Sequence, residues 1–253
     1  MNLCIITGKI GSGKSTILSS IKELGGSCYS MDEFSNIVLQ TLLMDEVLSL
    51  CNGQILIIDD MVQVYQAYQL MIELWEQLSD KHPNDHFILQ RYGRVVNLTK
   101  KFTALKELMQ KKMPLPPIID KKRLSTIILQ KPSLLQQLED VIYPTTLHLA
   151  LHYIRKKLAI HRIIYIEHPP VKLNILLNNL KDISHHFFIV EIDEKLRNTR
   201  LLQRDTDRLL LKMLQERQDI ELSTLLQHVD SHKITTLKHE NSNLIAQKIL
   251  AIT

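Results

Sequence analysis

Glycine, proline and cysteine are scarce in this chain. Its 253 residues include only seven glycines, eight prolines and three cysteines. So few turn-forming residues favour many helices over an array of tight hairpins. The cysteines, Cys4, Cys28 and Cys51, show no C-x-x-C spacing, and we expect reduced thiols in the core, as in a cytoplasmic protein.

Long apolar runs and strongly basic clusters are also missing. No uninterrupted apolar segment reaches the about 18 residues that a membrane-spanning helix needs, so we expect no membrane partner. The formal net charge is +4, and the basic pairs are scattered with little aromatic interleaving. This pattern predicts no nucleic-acid partner. A solvated surface explains the basic pairs, and attraction of an anionic substrate is the alternative.

The apolar pattern alternates between short runs and helical periods. Candidate strands lie at 3–7, 27–30, 162–167, 187–192 and 233–237. Segments with helical spacing separate them, which predicts βαβ units and therefore an α/β fold with a parallel sheet. Within one long helical stretch, the Tyr143-Pro144 step predicts a break between two helices.

A glycine-rich loop follows the first candidate strand. Residues 8–15, GKIGSGKS, fit the P-loop pattern G-x-x-x-x-G-K-[ST] at every position, with a strand before and a helix after. Backbone amides of such a loop surround phosphate oxygens; Lys14 would reach the β- and γ-phosphates, and Ser15 would ligate Mg²⁺. The predicted ATP-binding residues are Gly8, Gly11, Ser12, Gly13, Lys14, Ser15 and Thr16. A glycine-rich turn that binds nothing is the alternative.

The loop alone does not identify the class of nucleotide-binding protein. A GTPase would carry an N-K-x-D motif, and the sequence has none. A motor ATPase would carry a strand that ends in an acidic residue, which QILIIDD at 54–60 resembles. The alternative is that residues 54–60 belong to a helical insert or to the surface.

Several segments together resemble the dephospho-coenzyme A kinases. They are ITGKIGSGKSTILSSIKELGGSCYSMDEFSNIV at 6–38, IIDKKRLSTIIL at 118–129, LEDVIYPTTLHLAL at 138–151, RIIYIEHPPV at 162–171 and VEIDEKLRNTRLLQRD at 190–205. The resemblance covers most of the chain except residues 42–100. It implies a three-layer P-loop kinase fold with a parallel sheet, a helical substrate cap and a short lid.

The resemblance also implies a domain organisation and an activity. The nucleotide-binding core would comprise 1–32 and 161–253 with a lid near 203–210, and the substrate cap would be 33–160 with an insertion at 42–100. The activity would be transfer of the γ-phosphate of ATP, with Mg²⁺, to the 3′-hydroxyl of dephospho-CoA. The oligomeric state stays open.

Two catalytic residues besides Lys14 follow from the resemblance. Asp32 matches the second aspartate of the family's D-x-D motif and would orient the acceptor hydroxyl or accept its proton; a helix N-cap is the alternative role. Arg204 matches the lid arginine and would neutralise charge on the transferring phosphate. A surface arginine paired with Asp205 or Asp207 is the alternative.

The sequence departs from the family's pattern at five positions. Ser30 replaces the first aspartate of D-x-D, Lys9 a loop glycine, Tyr143 a histidine, Leu173 a glutamate and Lys121 an arginine. These differences affect acceptor recognition more than nucleotide binding. They leave three alternatives: an active dephospho-CoA kinase, another small-molecule or nucleoside kinase, and an ATP-binding regulatory protein without transfer activity.

Overall fold

The chain forms two compact units. The computed structural model describes residues 2–51, 57–78, 88–91, 94–202, 208–238 and 241–253. One unit comprises Met1–Asp32 and Ile154–Thr253, and we call it the sheet unit; the other, Glu33–Tyr153, we call the inserted unit. The sheet unit is therefore built from two separate stretches of sequence.

The strands are short, as expected for a small α/β domain. In chain order they are β1 (Leu3–Thr7), β2 (Ser27–Ser30), β3 (Ile57–Ile58), β4 (Ile88–Arg91), β5 (Arg94–Asn97), β6 (Ile118–Ile119), β7 (Ile164–Glu167), β8 (His185–Glu191) and β9 (Ile234–Lys238).

Helices connect these strands. In chain order they are α1 (Lys14–Glu23), α2 (Met31–Ile37), α3 (Met44–Leu50), α4 (Met61–Leu78), α5 (Leu98–Gln110), α6 (Lys121–Gln130), α7 (Pro132–Leu158), α8 (Leu173–Asn179), α9 (Glu194–Leu202), α10 (Arg208–His228) and α11 (Ser242–Ile252). A π-helical turn (Val38–Leu42) follows α2, and a 3₁₀ turn (Ser231–Lys233) precedes β9.

Five strands of the sheet unit form one parallel sheet in the order β2-β7-β1-β8-β9. Strand β1 is central, with Leu3 paired to Ile164 on one side and to His185 on the other. Parallel neighbours require crossover connections, which the intervening helices supply. All five residues of β1 are buried, which explains why LCIIT reads as a continuous apolar run rather than an alternating one.

Helices α1 and α11 cover one face of the sheet. Ile17 and Ile21 of α1 and Ile245 and Ile249 of α11 pack with Ile6 of β1 in one buried cluster. The opposite face is buried as well, since Leu3, Ile5, Ile164 and Phe187 have no exposed surface. The predicted α/β fold with a parallel sheet is therefore confirmed.

The inserted unit is mainly helical around an aromatic cluster. Trp75 of α4 stacks on Phe102 of α5, with ring centroids 4.9 Å apart, and meets the edge of Tyr153. Two small antiparallel ribbons, β3 with β6 and β4 with β5, complete what is described of it. Residues 57–58 of QILIIDD thus pair with Ile118–Ile119 outside the parallel sheet, which contradicts the motor ATPase strand, one of the two alternatives for residues 54–60.

Helix α7 runs unbroken through Pro144, so the predicted break at Tyr143-Pro144 is wrong. A proline removes one helical hydrogen bond, but buried residues on both sides of it, Leu138, Tyr143 and Leu147, anchor the helix by packing. Helix α8 lacked a clear sequence signal because it spans only two turns. None of the helices in the described ranges is long and apolar enough to cross a bilayer.

We predict that Ile249→Ala destabilises the protein by about 2–5 kcal/mol, because a fully buried isoleucine in the α1–α11 cluster leaves a cavity. The measurement is urea unfolding followed by circular dichroism. Ile252→Ala on the same helix is the control, since Ile252 is 49% exposed and its loss is expected to change the free energy of unfolding by less than about 0.5 kcal/mol. Equal effects of the two variants would contradict the described packing.

Candidate functional site

The loop between β1 and α1 holds the ammonium of its own lysine, Lys14, by two backbone carbonyls. Gly8, Gly11 and Gly13 have positive φ angles of 149°, 84° and 91°, a conformation that glycine adopts readily and that allows a tight loop. The ammonium of Lys14 donates to the carbonyl oxygens of Gly8 at 2.8 Å and Lys9 at 3.1 Å. Lys14 is buried, so a positive charge is held inside the loop at the N-terminus of α1, where the helix dipole adds to it.

Close packing against the neighbouring strand fixes the start of the loop. A Cβ atom on Gly8 would lie 2.5 Å from the carbonyl oxygen of Val190 in β8. That distance is shorter than any van der Waals contact, so only glycine fits there. Strand β8 therefore determines how close the first residue of the loop lies to the sheet.

A hydrogen bond joins the loop to the strand on its other side. The Ser15 hydroxyl donates to Oε1 of Glu167 at 2.9 Å. Glu167 is the last residue of β7 and lies opposite Ile6 of β1 and Ser30 of β2. A buried carboxylate therefore sits at the carboxyl edge of the sheet, beside the hydroxyl that the sequence predicts as a Mg²⁺ ligand.

His168 follows Glu167 and is fully buried. Its pKa is lowered to about 4, chiefly by burial; the hydrogen bond to the Pro169 carbonyl raises the pKa, and the charge of Lys14 lowers it. Since a carbonyl only accepts, Nδ1 carries the hydrogen in that bond. The imidazole is therefore neutral near pH 7 and adds no charge beside Lys14.

Asp32 lies at the same edge of the sheet. It is exposed in the first turn of α2, two residues after Ser30. The Ser30 hydroxyl accepts the Asp32 backbone N–H at 3.3 Å, so serine performs the capping role that was the alternative for Asp32. The Asp32 carboxylate is thus exposed to solvent at the carboxyl end of β2.

Helix α10 holds the tip of the loop. The Gln218 side-chain oxygen accepts the backbone N–H of Ile10 at 2.6 Å, and Asp219 pairs with Lys9 at 2.6 Å. Gln218 is buried, whereas both partners of the ion pair are partly exposed. Two successive side chains of one helix therefore bind two successive loop residues.

A cavity of about 450 Å³ opens beside the loop in the sheet unit. It is lined by Lys9, Ser12, Ile189, Val190, Glu191, Ile192, Glu194, Arg197, Asp219, Leu222, Ser223, Leu226 and Thr236. Its volume is within the range of small-molecule sites. By position it lies at the carboxyl end of β8, next to the central strand, where open α/β sheets bind ligands.

The inserted unit has a second cavity, of about 580 Å³, with a basic rim. Lys121, Lys122 and Arg123 form the first turn of α6, and Asp120 caps it by accepting the backbone N–H groups of residues 122 and 123. Cations at a helix N-terminus add to the positive end of the dipole. The three cations and the Asp120 carboxylate all line this cavity.

Some of the remaining predicted residues lie within the described ranges and others do not. Arg204, Asp205 and the start of the predicted lid lie outside the described residues, and residues 208–210 begin α10. Tyr143 and Leu173 are buried, and the Leu173 backbone N–H donates to Glu221. The other members of the ATP-binding set, including Thr16, lie in the loop or the first turn of α1.

Sequence reasoning missed three residues at the loop: Glu167, Arg197 and Gln218. The signal for Glu167 was available, because RIIYIE is an apolar strand that ends in an acidic residue. Arg197 and Gln218 lie on amphipathic helices, where sequence alone does not distinguish a buried polar residue from a solvated one.

The sheet and its loop define an α/β fold of the P-loop class. Solved structures similar to the chain include a dephospho-CoA kinase from Campylobacter jejuni (17% identity, 99% of this chain and 96% of that chain covered, TM-score 0.49). Others are a protein from Thermus thermophilus (14%, 99% and 96%, 0.47) and a sugar kinase from Janibacter sp. (12%, 99% and 93%, 0.45).

The comparisons of sequence found no match for this chain. No protein-family model matches the chain, and no curated protein matches it. All three structural likenesses have TM-scores below 0.5 and identities below 25%.

We predict that Gly8→Ala displaces the loop, because the added methyl group meets the Val190 carbonyl. The expected cost is about 1–3 kcal/mol in the free energy of unfolding, as for overpacking, together with loss of ATP binding in calorimetry. Gly25→Ala is the matched control: Gly25 has a φ of 91° but nothing within 4 Å of the added atom. If both variants bound ATP like the wild type, the close packing would have no part in forming the site.

Proposed function

We propose that the chain is an ATP-dependent phosphotransferase that converts dephospho-CoA to CoA by phosphorylating its ribose 3′-hydroxyl. The observation that carries the phosphotransferase proposal is the hydrogen bond from Ser15 to Glu167. It joins the loop hydroxyl to an acidic residue at the end of the adjacent strand. In P-loop NTPases a loop serine or threonine and an aspartate hold Mg²⁺, and Glu167 would take the place of that aspartate here.

The loop would bind the triphosphate of ATP. Backbone amides of the loop would donate to phosphate oxygens, and Lys14 would exchange its bonds with the Gly8 and Lys9 carbonyls for bonds with those oxygens. This exchange needs no change in the burial of the charge, because Lys14 is already inside the loop.

The metal-binding groups fit Mg²⁺ in kind. Ser15 offers a hydroxyl and Glu167 a carboxylate, and hard oxygen ligands of this type suit Mg²⁺, which keeps several waters and takes few protein ligands. When bound, Mg²⁺ would neutralise charge on the β- and γ-phosphates. Until then, the carboxylate of Glu167 holds the Ser15 hydroxyl in position.

Asp32 would act on the acceptor. Its exposed carboxylate stands at the carboxyl end of β2, the strand beside β7 and its Glu167. A carboxylate there would orient the acceptor hydroxyl towards the phosphate and accept its proton. We propose Arg204 as a further cation for the transferring phosphate on the resemblance alone.

The acceptor proposal is supported by the resemblance. Dephospho-CoA carries a pyrophosphate, and the segment at 118–129 that resembles the family supplies three cations, Lys121, Lys122 and Arg123. Lys121 stands where the family has an arginine, so one bidentate contact would become a monodentate one.

The test of transfer is incubation with ATP, Mg²⁺ and dephospho-CoA, with CoA detected by mass spectrometry.

We predict that Lys14→Ala lowers ATP affinity by at least about tenfold, whereas Asp32→Asn retains ATP affinity and lowers kcat by about 10²–10⁴-fold through loss of the base. ATP binding without CoA formation would instead support a regulatory nucleotide-binding protein. Transfer to a different acceptor would retain the kinase and reject dephospho-CoA.

The metal assignment has its own prediction. Glu167→Gln keeps the size of the side chain but removes its charge, and we expect about 10–100-fold more Mg²⁺ to be needed for half-maximal turnover. The control is Glu23→Gln, at the exposed end of α1. If the two variants required the same Mg²⁺ concentration as the wild type, Glu167 would not be part of the metal site.

A further inference from the structure

Arg197 is a buried arginine with little to balance its charge. It lies in the middle of α9 and is only 8% exposed. Its Nη2 donates to Oε1 of Glu194 at 3.3 Å, but the Glu194 side chain is 79% exposed and therefore well solvated. Buried charges are normally paired and hydrogen-bonded, and an exposed carboxylate at this distance is a weak partner.

One donor of this side chain is unused. Among the described residues, Arg197 Nε is buried and has no hydrogen-bond partner. The Ser12 hydroxyl is also buried without a partner, and both residues line the cavity beside the loop. Unsatisfied buried polar groups are rare in native proteins, and two at one cavity point to a ligand that completes them.

The neighbouring donors contrast with these two. The Ile10 backbone N–H is satisfied by Gln218, and Lys9 by Asp219. The loop groups that face α10 therefore have partners, whereas the Nε of Arg197 and the hydroxyl of Ser12 have none among the described residues. The arginine stem also packs on the loop, since a Cβ on Gly11 would lie 3.2 Å from Arg197 Cγ.

The cavity combines these donors with apolar walls. Ile189, Ile192, Leu222 and Leu226 contribute apolar surface, while Ser12 and Lys9 belong to the phosphate-binding loop itself. A ligand whose phosphates lie in the loop would place its next part here. That part must offer hydrogen-bond acceptors and a flat apolar surface, which describes the ribose and base of a nucleotide.

We infer that Arg197 is a nucleotide-binding residue whose Nε–H donates to an acceptor atom of the nucleoside, with Ser12 completing the same cavity. This inference rests on the proposed function, because it requires a nucleotide in the loop. It assigns Arg197 to the nucleoside and leaves the triphosphate to Lys14 and the backbone amides. Arg197 thereby adds affinity for a nucleotide over a bare polyphosphate.

The experiment compares two ligands, ATP with Mg²⁺ and inorganic tripolyphosphate with Mg²⁺, by isothermal titration calorimetry. Arg197→Met keeps the stem over Gly11 and removes every donor. We expect this variant to bind ATP about tenfold more weakly, from the loss of a charge-assisted hydrogen bond, and to bind tripolyphosphate like the wild type. Lys195→Met is the control, since it removes one positive charge from an exposed position on the same helix.

Each other outcome overturns the inference. An equal loss for both ligands would place Arg197 on the phosphates, and no loss for either would make it a structural residue. If the wild type bound neither ligand, the proposed function itself would fail. Melting temperatures check folding; should Arg197→Met unfold, Arg197→Lys keeps the stem and charge but lacks Nε, and the same ATP-selective loss is expected.

Discussion

The site depends on one hydrogen bond, from Ser15 in the first turn of α1 to Glu167 at the end of β7. It connects two residues that are far apart in sequence because β1 and β7 are neighbours in register. The bond fixes the direction of the Ser15 hydroxyl and gives the buried carboxylate a donor. Without the parallel pairing of these strands, the loop would have a lysine but no adjacent acid.

Contacts within the protein hold the loop in its shape. Lys14 bonds two loop carbonyls, Gln218 accepts from the loop tip, and Gly8 packs on β8. Each contact restricts a different part of a short glycine-rich segment, so little conformational entropy remains to be lost on binding. The same helix that supplies Gln218 also lines the cavity beside the loop, which links loop geometry to cavity shape.

The parts of the fold with strong local signals were predictable from sequence. The run LCIIT and the spacing of Gly8, Gly13 and Lys14 predicted the strand, loop and helix. Both RIIYIE and QILIIDD are apolar runs that end in an acidic residue, and only the strand pairing shows that Glu167 lies beside β1 whereas residues 57–58 lie in a separate ribbon. Arg197 could not be predicted, since its importance comes from burial and an unsatisfied Nε.

The position of β1 has a consequence for the order of assembly during synthesis. Its partners, β7 and β8, lie on the far side of the inserted unit in sequence. During synthesis the apolar residues of β1 therefore stay unpaired until β7 and β8, which follow the inserted unit, have been made. Such long-range parallel pairing folds slowly and is prone to aggregation while incomplete. The inserted unit, whose contacts are continuous in sequence, is free to form earlier on the ribosome.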